Sequence, residues 1–227
     1  MKLIHNQMEY QIDFNSKFVN TLVIESPAFF CSLVEQLSHQ ITGGEGRFVL
    51  SEDAVELSIE KNIELIVDPF INASHARRFM TTLMANLQTQ AVSENFYQET
   101  AEMQNSLLAF ASNLAHEYDG PITFAEEINL HALIKLLGFT FDFEDSFVEN
   151  LVTYATTIHA YTKKSIFVFV NLKSFLEDEE LQYLFETIQS KNCHLLLLES
   201  KAQNPFMKQE KCCIIDKDLC EIFSEGK

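Results

Sequence analysis

Basic side chains are scarce in this chain: 16 Lys and Arg stand against 33 Asp and Glu, a net charge of -17 over 227 residues. A mean field of that sign repels nucleic acid and anionic membranes, so contact with DNA requires a local basic patch or bound cations. Long apolar runs are missing as well. No stretch reaches the roughly 20 residues of a membrane span. The opening MKLIHNQMEYQIDF alternates apolar and polar residues and lacks the positive segment and apolar run of a signal peptide. A cytoplasmic protein is expected.

The residue patterns of several chemistries are also absent. Cys31, Cys193, Cys212, Cys213 and Cys220 form no C-x-x-C pair. Cys31, Cys193 and the Cys212-Cys213 pair lie in apolar patterns, so buried thiols are expected and not a zinc or redox centre. His5, His39, His75, His116, His131, His159 and His194 are scattered, with no Ser-His-Asp or H-x-x-x-H arrangement, and no EF-hand spacing occurs. Glycine counts only six. Three fall in TGGEG (Thr42 to Gly46), but Arg47-Phe48-Val49 follows where a phosphate loop needs Gly-Lys-Ser/Thr, so this reads as a helix stop. TLVIESPAFFCSLVEQL (Thr21 to Leu37) has the strand-to-helix frame of a phosphate binder, yet its turn, Glu25-Ser26-Pro27, offers neither glycine nor lysine. Asp68, closing IELIVD, sits where a magnesium-binding acid would; without a phosphate loop it reads as a strand end before Pro69.

What is present is core. Hydrophobic residues make up 47% and Phe counts 20, which excludes a disordered chain. KLIH, EYQIDF and TLVIE read as strands, Pro27 to about Ile41 as a helix, RFVLSED and AVELSI as paired outer strands, and IELIV as a strand buried on both faces. From Ser74 to about Tyr118 no Gly or Pro interrupts the chain. Phe79, Met80, Leu83, Met84, Leu87, Ala91 and Val92 form one helical stripe, continued after a polar stretch at Ser93 to Asn95 by Met103, Leu107, Leu108, Ala111 and Leu114. A straight helix of that length would run roughly 65 Å and project as an arm. DGPITFAEE breaks it, INLHALIKLLG forms a return helix stopped by Gly138, and Phe139-Thr140-Phe141 leads back into sheet. Helix Asp145 to Tyr161, strand SIFVFVNL, helix Glu177 to Lys191, strand HLLLLES and strand CCIID complete an α/β pattern with a mainly parallel sheet. The domains expected are an α/β head, 1-73 with 139-227, and an inserted helical leg, 74-138.

ALIKLLG (Ala132 to Gly138), YTKKSIFVFVNLKSFLEDEEL (Tyr161 to Leu181) and HLLLLES (His194 to Ser200), with TLVIE, IELIVDPFIN and the long helix in the same order, resemble the small Csn-type spacer-adaptation protein of type II-A CRISPR systems. The resemblance implies a head similar in topology to P-loop ATP-binding folds without nucleotide chemistry, and a helical leg. It also implies a homotetrameric ring that threads double-stranded DNA, is stabilised by calcium (Ca2+), and acts with the CRISPR spacer integrase complex and the type II effector nuclease. It implies no enzyme, no nucleotide and no membrane.

Two residue sets follow. Glu117, Asp119, Glu126 and Glu127, with Asp142, Glu144 and Asp145 beyond the return helix, read alone as a solvated acidic face; the resemblance puts calcium ahead, since Glu126 and Glu127 match acidic positions before the family's return helix. For DNA the candidates are Lys135 on the return helix, Arg77 and Arg78 at the start of the arm, and Lys163 with Lys164. Phosphate binding needs only cations on one surface. Lys163-Lys164 equally suits a solvated helix end at the C-terminal dipole. None of the three lysines lies within an apolar run, so changing Lys135, Lys163 and Lys164 together to Glu is expected to leave folding intact. The competing class is a nucleotide-dependent enzyme, an ATPase or small-molecule kinase with a divergent phosphate loop.

Overall fold

The computed structural model describes residues 1-14, 18-71, 73-140, 145-203 and 206-225, with backbone only for 73-79, 224 and 225. The chain divides into two compact units: Met1–Ile71 with Phe143–Lys227, and Asn72–Asp142.

The first unit is α/β and holds two sheets. Strands β1 (Lys2–His5), β2 (Ile12–Asp13), β4 (Phe48–Glu52) and β5 (Val55–Leu57) make a small antiparallel sheet in the order β2-β1-β4-β5. Strands β3 (Val19–Ile24), β6 (Ile63–Ile66), β7 (Ile166–Val170), β8 (His194–Glu199), β9 (Glu210–Ile215) and β10 (Glu221–Glu225) make the large one. Its order is β10-β9-β3-β8-β7-β6, parallel throughout except for β10. The α/β expectation with a mainly parallel sheet therefore holds. The paired outer strands lie in the small sheet, and IELIV is the edge strand β6, its residues buried but Val67 exposed.

Alternation along the strands gives the large sheet two different faces. Leu22, Ile24, Ile63, Leu65, Ile166, Val168, Val170, Leu196, Leu198, Cys213 and Ile215 share one apolar core with Leu33 and Leu37 of helix α1 (Pro27–Ile41) and with Leu3, Phe48 and Leu50 of the small sheet. Pro27 opens α1, where a missing N–H costs nothing. Gly43 closes it at φ 85°, a backbone that favours glycine, so TGGEG is a helix stop as read. After β5 a single turn, α2 (Ile59–Asn62), leads into β6. The opposite face presents Glu64, Phe167, Phe169, Leu195, Leu197 and Glu199. Helices α6 (Phe147–Thr162) and α7 (Asp178–Ser190) belong to this unit; α7 is held at its start by the reciprocal Glu177/Glu180 capping box and turns Leu181, Leu184, Phe185 and Ile188 inward.

The second unit holds α3 (Ala73–Ala91), α4 (Tyr97–His116) and α5 (Leu130–Leu136). The single long helix expected over Ser74 to Tyr118 is two. Ser93 Oγ donates to the Gln90 carbonyl at 2.6 Å, and the Ser93 carbonyl accepts from Phe96 and Tyr97. A side chain competing for backbone acceptors ends α3 without glycine or proline. Phe139 and Thr140 form no strand, and Phe141 lies outside the described residues. No described helix is long and apolar enough to cross a membrane.

The cysteine expectation divides. Cys193, Cys212 and Cys213 are buried, which pushes their thiols up to about 11, 12 and 12. Cys31 is exposed, because α1 points Leu33 and Leu37 inward and Cys31 away from them.

Candidate nucleic-acid interface

Lys135 lies in the last turn of α5. Asn129 caps that short helix by accepting from the Ala132 N–H at 3.0 Å, and Ile134 is its one buried residue, which leaves the neighbouring Lys135 in solvent. Gly138, at φ 65°, lets the chain leave the helix. Lys135 stands in the helical unit; Lys163 and Lys164 stand in the α/β unit.

Those two adjacent lysines have different environments. Lys163 is the left-handed cap of α6, its N–H donating to the His159 carbonyl at 3.0 Å, and its side chain is exposed. Lys164 turns back onto the sheet, where Nζ pairs with Glu64 Oε2 at 2.8 Å and the side chain is only 17% exposed. The Tyr154 hydroxyl donates to the other Glu64 oxygen at 2.9 Å. Lys164 thus pairs with an acid in edge strand β6 and is half-buried. Arg77 and Arg78 lie in α3, but their side chains are outside the described residues.

Of the acids, Glu117 caps the end of α4, Asp119 lies in the following turn, and Glu126 and Glu127 occupy the bend before Asn129; all four are exposed. Among the described residues no three His, Cys, Asp or Glu side chains gather to hold a metal ion. Asp142 and Glu144 lie outside the described residues. Calcium needs six to eight converging oxygens. These four acids do not form such a cage, so they do not fit a preformed calcium site.

Asp68 behaves as a strand end: its Oδ1 accepts from the Phe70 N–H at 3.0 Å. The place a nucleotide would take is nevertheless a cleft. Ile24, Glu25, Pro27, Phe30, Lys201 and Lys217 line about 680 Å³ at the carboxyl ends of β3, β8 and β9, the region where open parallel sheets hold ligands. The two lysines follow different strands, and local spacing gave no signal that they share a cleft.

A larger feature lies on α4. α4 runs 20 residues without one buried side chain. Met103, Leu107, Phe110 and Leu114, spaced four, three and four, share a narrow arc of its surface, with Phe110 60% and Leu114 55% exposed. The sequence marks this apolar period but not whether its own chain covers it. The family model described as CRISPR-associated protein (Cas_Csn2) matches residues 40–219. No curated protein matches the chain.

Proposed function

For this chain, which belongs to the Cas_Csn2 family of CRISPR-associated proteins, we propose the role of a non-enzymatic clamp for linear double-stranded DNA in spacer acquisition. Four copies close a ring in the cytoplasm, and the ring hands DNA to the spacer integrase complex and the type II effector nuclease. One observation carries this reading. A helix with an apolar stripe and no buried residue gains little from its own chain, since tertiary burial supplies most helix stability. Large exposed apolar patches mark interaction sites, and a second copy, which brings the same stripe, is the occupant that closed symmetry supplies.

The DNA contacts in this reading are Lys135 and Lys163, with Arg77 and Arg78 on α3; Lys164 contributes by fixing the strand beside Lys163. Such contacts act on phosphates, so binding falls steeply with salt and ignores base sequence. Calcium enters as counter-charge to copies that each carry -17, meeting exposed Glu117, Asp119, Glu126 and Glu127. The cleft at the end of β3 favours a second reading, a nucleotide-dependent enzyme; Glu25 in its wall and the missing phosphate loop weigh against it.

The test is the same duplex as a linear fragment and as a relaxed closed circle, at low salt with calcium. The clamp binds the linear form, binds the circle much more weakly, and loses the linear form when Lys135→Glu and Lys163→Glu are combined. Equal affinity for both forms contradicts threading. Micromolar affinity for ATP with no affinity for DNA favours the enzyme.

A further inference from the structure

Between the end of β8 and the start of β9 the structure buries two carboxylates beside a single ammonium. Glu199, at the end of β8, and Glu210, at the start of β9, are 2% and 1% exposed; Lys173, in the 3-10 turn after β7, is 7% exposed. The lysine is committed to Glu210: Nζ lies 2.5 Å from Oε1, which also accepts from the Thr21 hydroxyl at 2.7 Å, while the Met207 N–H donates to Oε2 at 2.8 Å. Three donors, one of them an ammonium, converge on Glu210. Glu199 has weaker support. It accepts from the backbone N–H of Lys173 at 3.1 Å and from that of Leu172, and no ammonium pairs with it. A dry compartment with two ionised carboxylates and one ammonium carries a net negative charge, which burial penalises. The proton therefore belongs on Glu199.

Glu199 also sits where two connections are fastened. It grips the turn beginning at Asn171, whose left-handed backbone (φ 54°) returns a side-chain oxygen to the Ser200 N–H at 2.8 Å. Lys173 reaches from that turn across the Phe206 ring to Glu210, which binds Met207 on the approach to β9. We propose that Glu199 is a proton-held latch: protonated, it keeps the turn after β7 and the approach to β9 closed over a dry interior, and ionisation lets both open to water. The surfaces it governs include exposed Phe175, in ring contact with Phe70, and Lys201 in the cleft.

The groups facing Glu199 support this. Burial is the largest influence and pushes its carboxyl up to about 7; the Lys173 N–H and charge lower it, and Glu210 raises it. Cys212 on β9 is pushed up to about 12 and stays neutral. From β3 the residue in register is Val23, and α7 buries only apolar side chains. Because the closed-state value lies above the ordinary one, the closed form is favoured at acid pH and loses that advantage as pH rises from about 4.5 through 7, levelling above it.

Hydrogen exchange of peptides covering 171–175 and 206–210, corrected for intrinsic base catalysis, tests the latch between pH 5 and 8. The opening constant is expected to rise by tenfold to about a hundredfold up to pH 7.5 and then level. Glu199→Gln, uncharged and of the same shape, should abolish the slope. Because that variant also changes the buried contacts, carbon-13 titration of the wild-type Glu199 carboxyl supplies an independent reading, expected above pH 6. A flat wild-type profile, a slope retained in Glu199→Gln, or a titration below pH 5.5 would overturn the proposal. None of these readouts involves DNA or assembly.

Discussion

In the α/β unit Phe14, Phe167, Phe169 and Phe185 are fully enclosed and even Glu64, Lys173, Glu199 and Glu210 are buried, whereas in the helical unit only Leu83 and Ile134 reach burial among the described residues. Both units are rich in apolar residues. They differ in where those residues point: the sheet is covered on one face by α1 and the small sheet, while α4 leaves Met103, Leu107, Phe110 and Leu114 open. The contrast teaches that one unit carries its stability within the chain and the other is an incomplete burial, which in the proposed ring a second copy finishes. Substitutions of similar size should then affect different quantities in the two units, unfolding free energy in one and particle mass in the other.

The largest stability effect is expected at Lys173. Lys173→Met takes the ammonium partner from Glu210 in a site 1% exposed, which should cost about 3–5 kcal/mol in urea unfolding at pH 7.5. A loss below about 1 kcal/mol would mean that water reaches the network.

Glu199→Gln comes next, with its sign set by pH. Since burial raises the folded carboxyl to about 7, wild type and variant should match near pH 5. By pH 7.5 the variant should be more stable by an amount on the order of 3 kcal/mol. Urea midpoints at the two pH values check this; the reverse sign would place the charge on Glu199 in the folded state at all pH.

Lys164→Met removes the partner of Glu64, whose carboxylate keeps only the Tyr154 hydroxyl, and should cost about 2 kcal/mol. Lys163→Met, one residue earlier on an exposed cap, should change stability by less than about 0.5 kcal/mol. That pair sharpens the comparison within two residues: a DNA-binding defect in Lys164→Met should track its loss of folded protein, and one in Lys163→Met should not.

The smallest effect concerns counter-charge. Calcium and magnesium at equal millimolar concentration should promote assembly alike, because exposed Glu117, Asp119, Glu126 and Glu127 form no cage that could choose between them. Sedimentation with each ion and with chelator measures this. A response to micromolar calcium that magnesium does not reproduce would reveal a built site.

The sequence made the parallel sheet legible because its strands are continuous apolar runs, and α1 legible because Pro27 and the glycines of TGGEG mark both ends. β10 escaped notice because Glu221-Ile222-Phe223 is short and half exposed, so neither a run nor a clear alternation announces it. The break at Ser93 escaped because a hydroxyl, not a glycine, ends α3. The interior charges were hidden for a different reason. Glu64 meets Lys164, and Lys173 meets Glu210, across long stretches of chain, and each acid looks in sequence like the polar end of an apolar strand. The apolar period of α4 marks a helix, but a period says which face is apolar and not what covers it.

The most direct test of the contrast is light-scattering mass at micromolar concentration for wild type and for Leu107→Glu combined with Phe110→Glu. Two charges on an exposed stripe should leave the urea midpoint of the α/β unit unchanged while blocking the partner copy. The account predicts a wild-type mass of four times the 26.1 kDa of one chain and a smaller particle for the double variant. A wild-type chain that runs as a single 26.1 kDa copy, or a double variant that keeps the full wild-type mass, would contradict it.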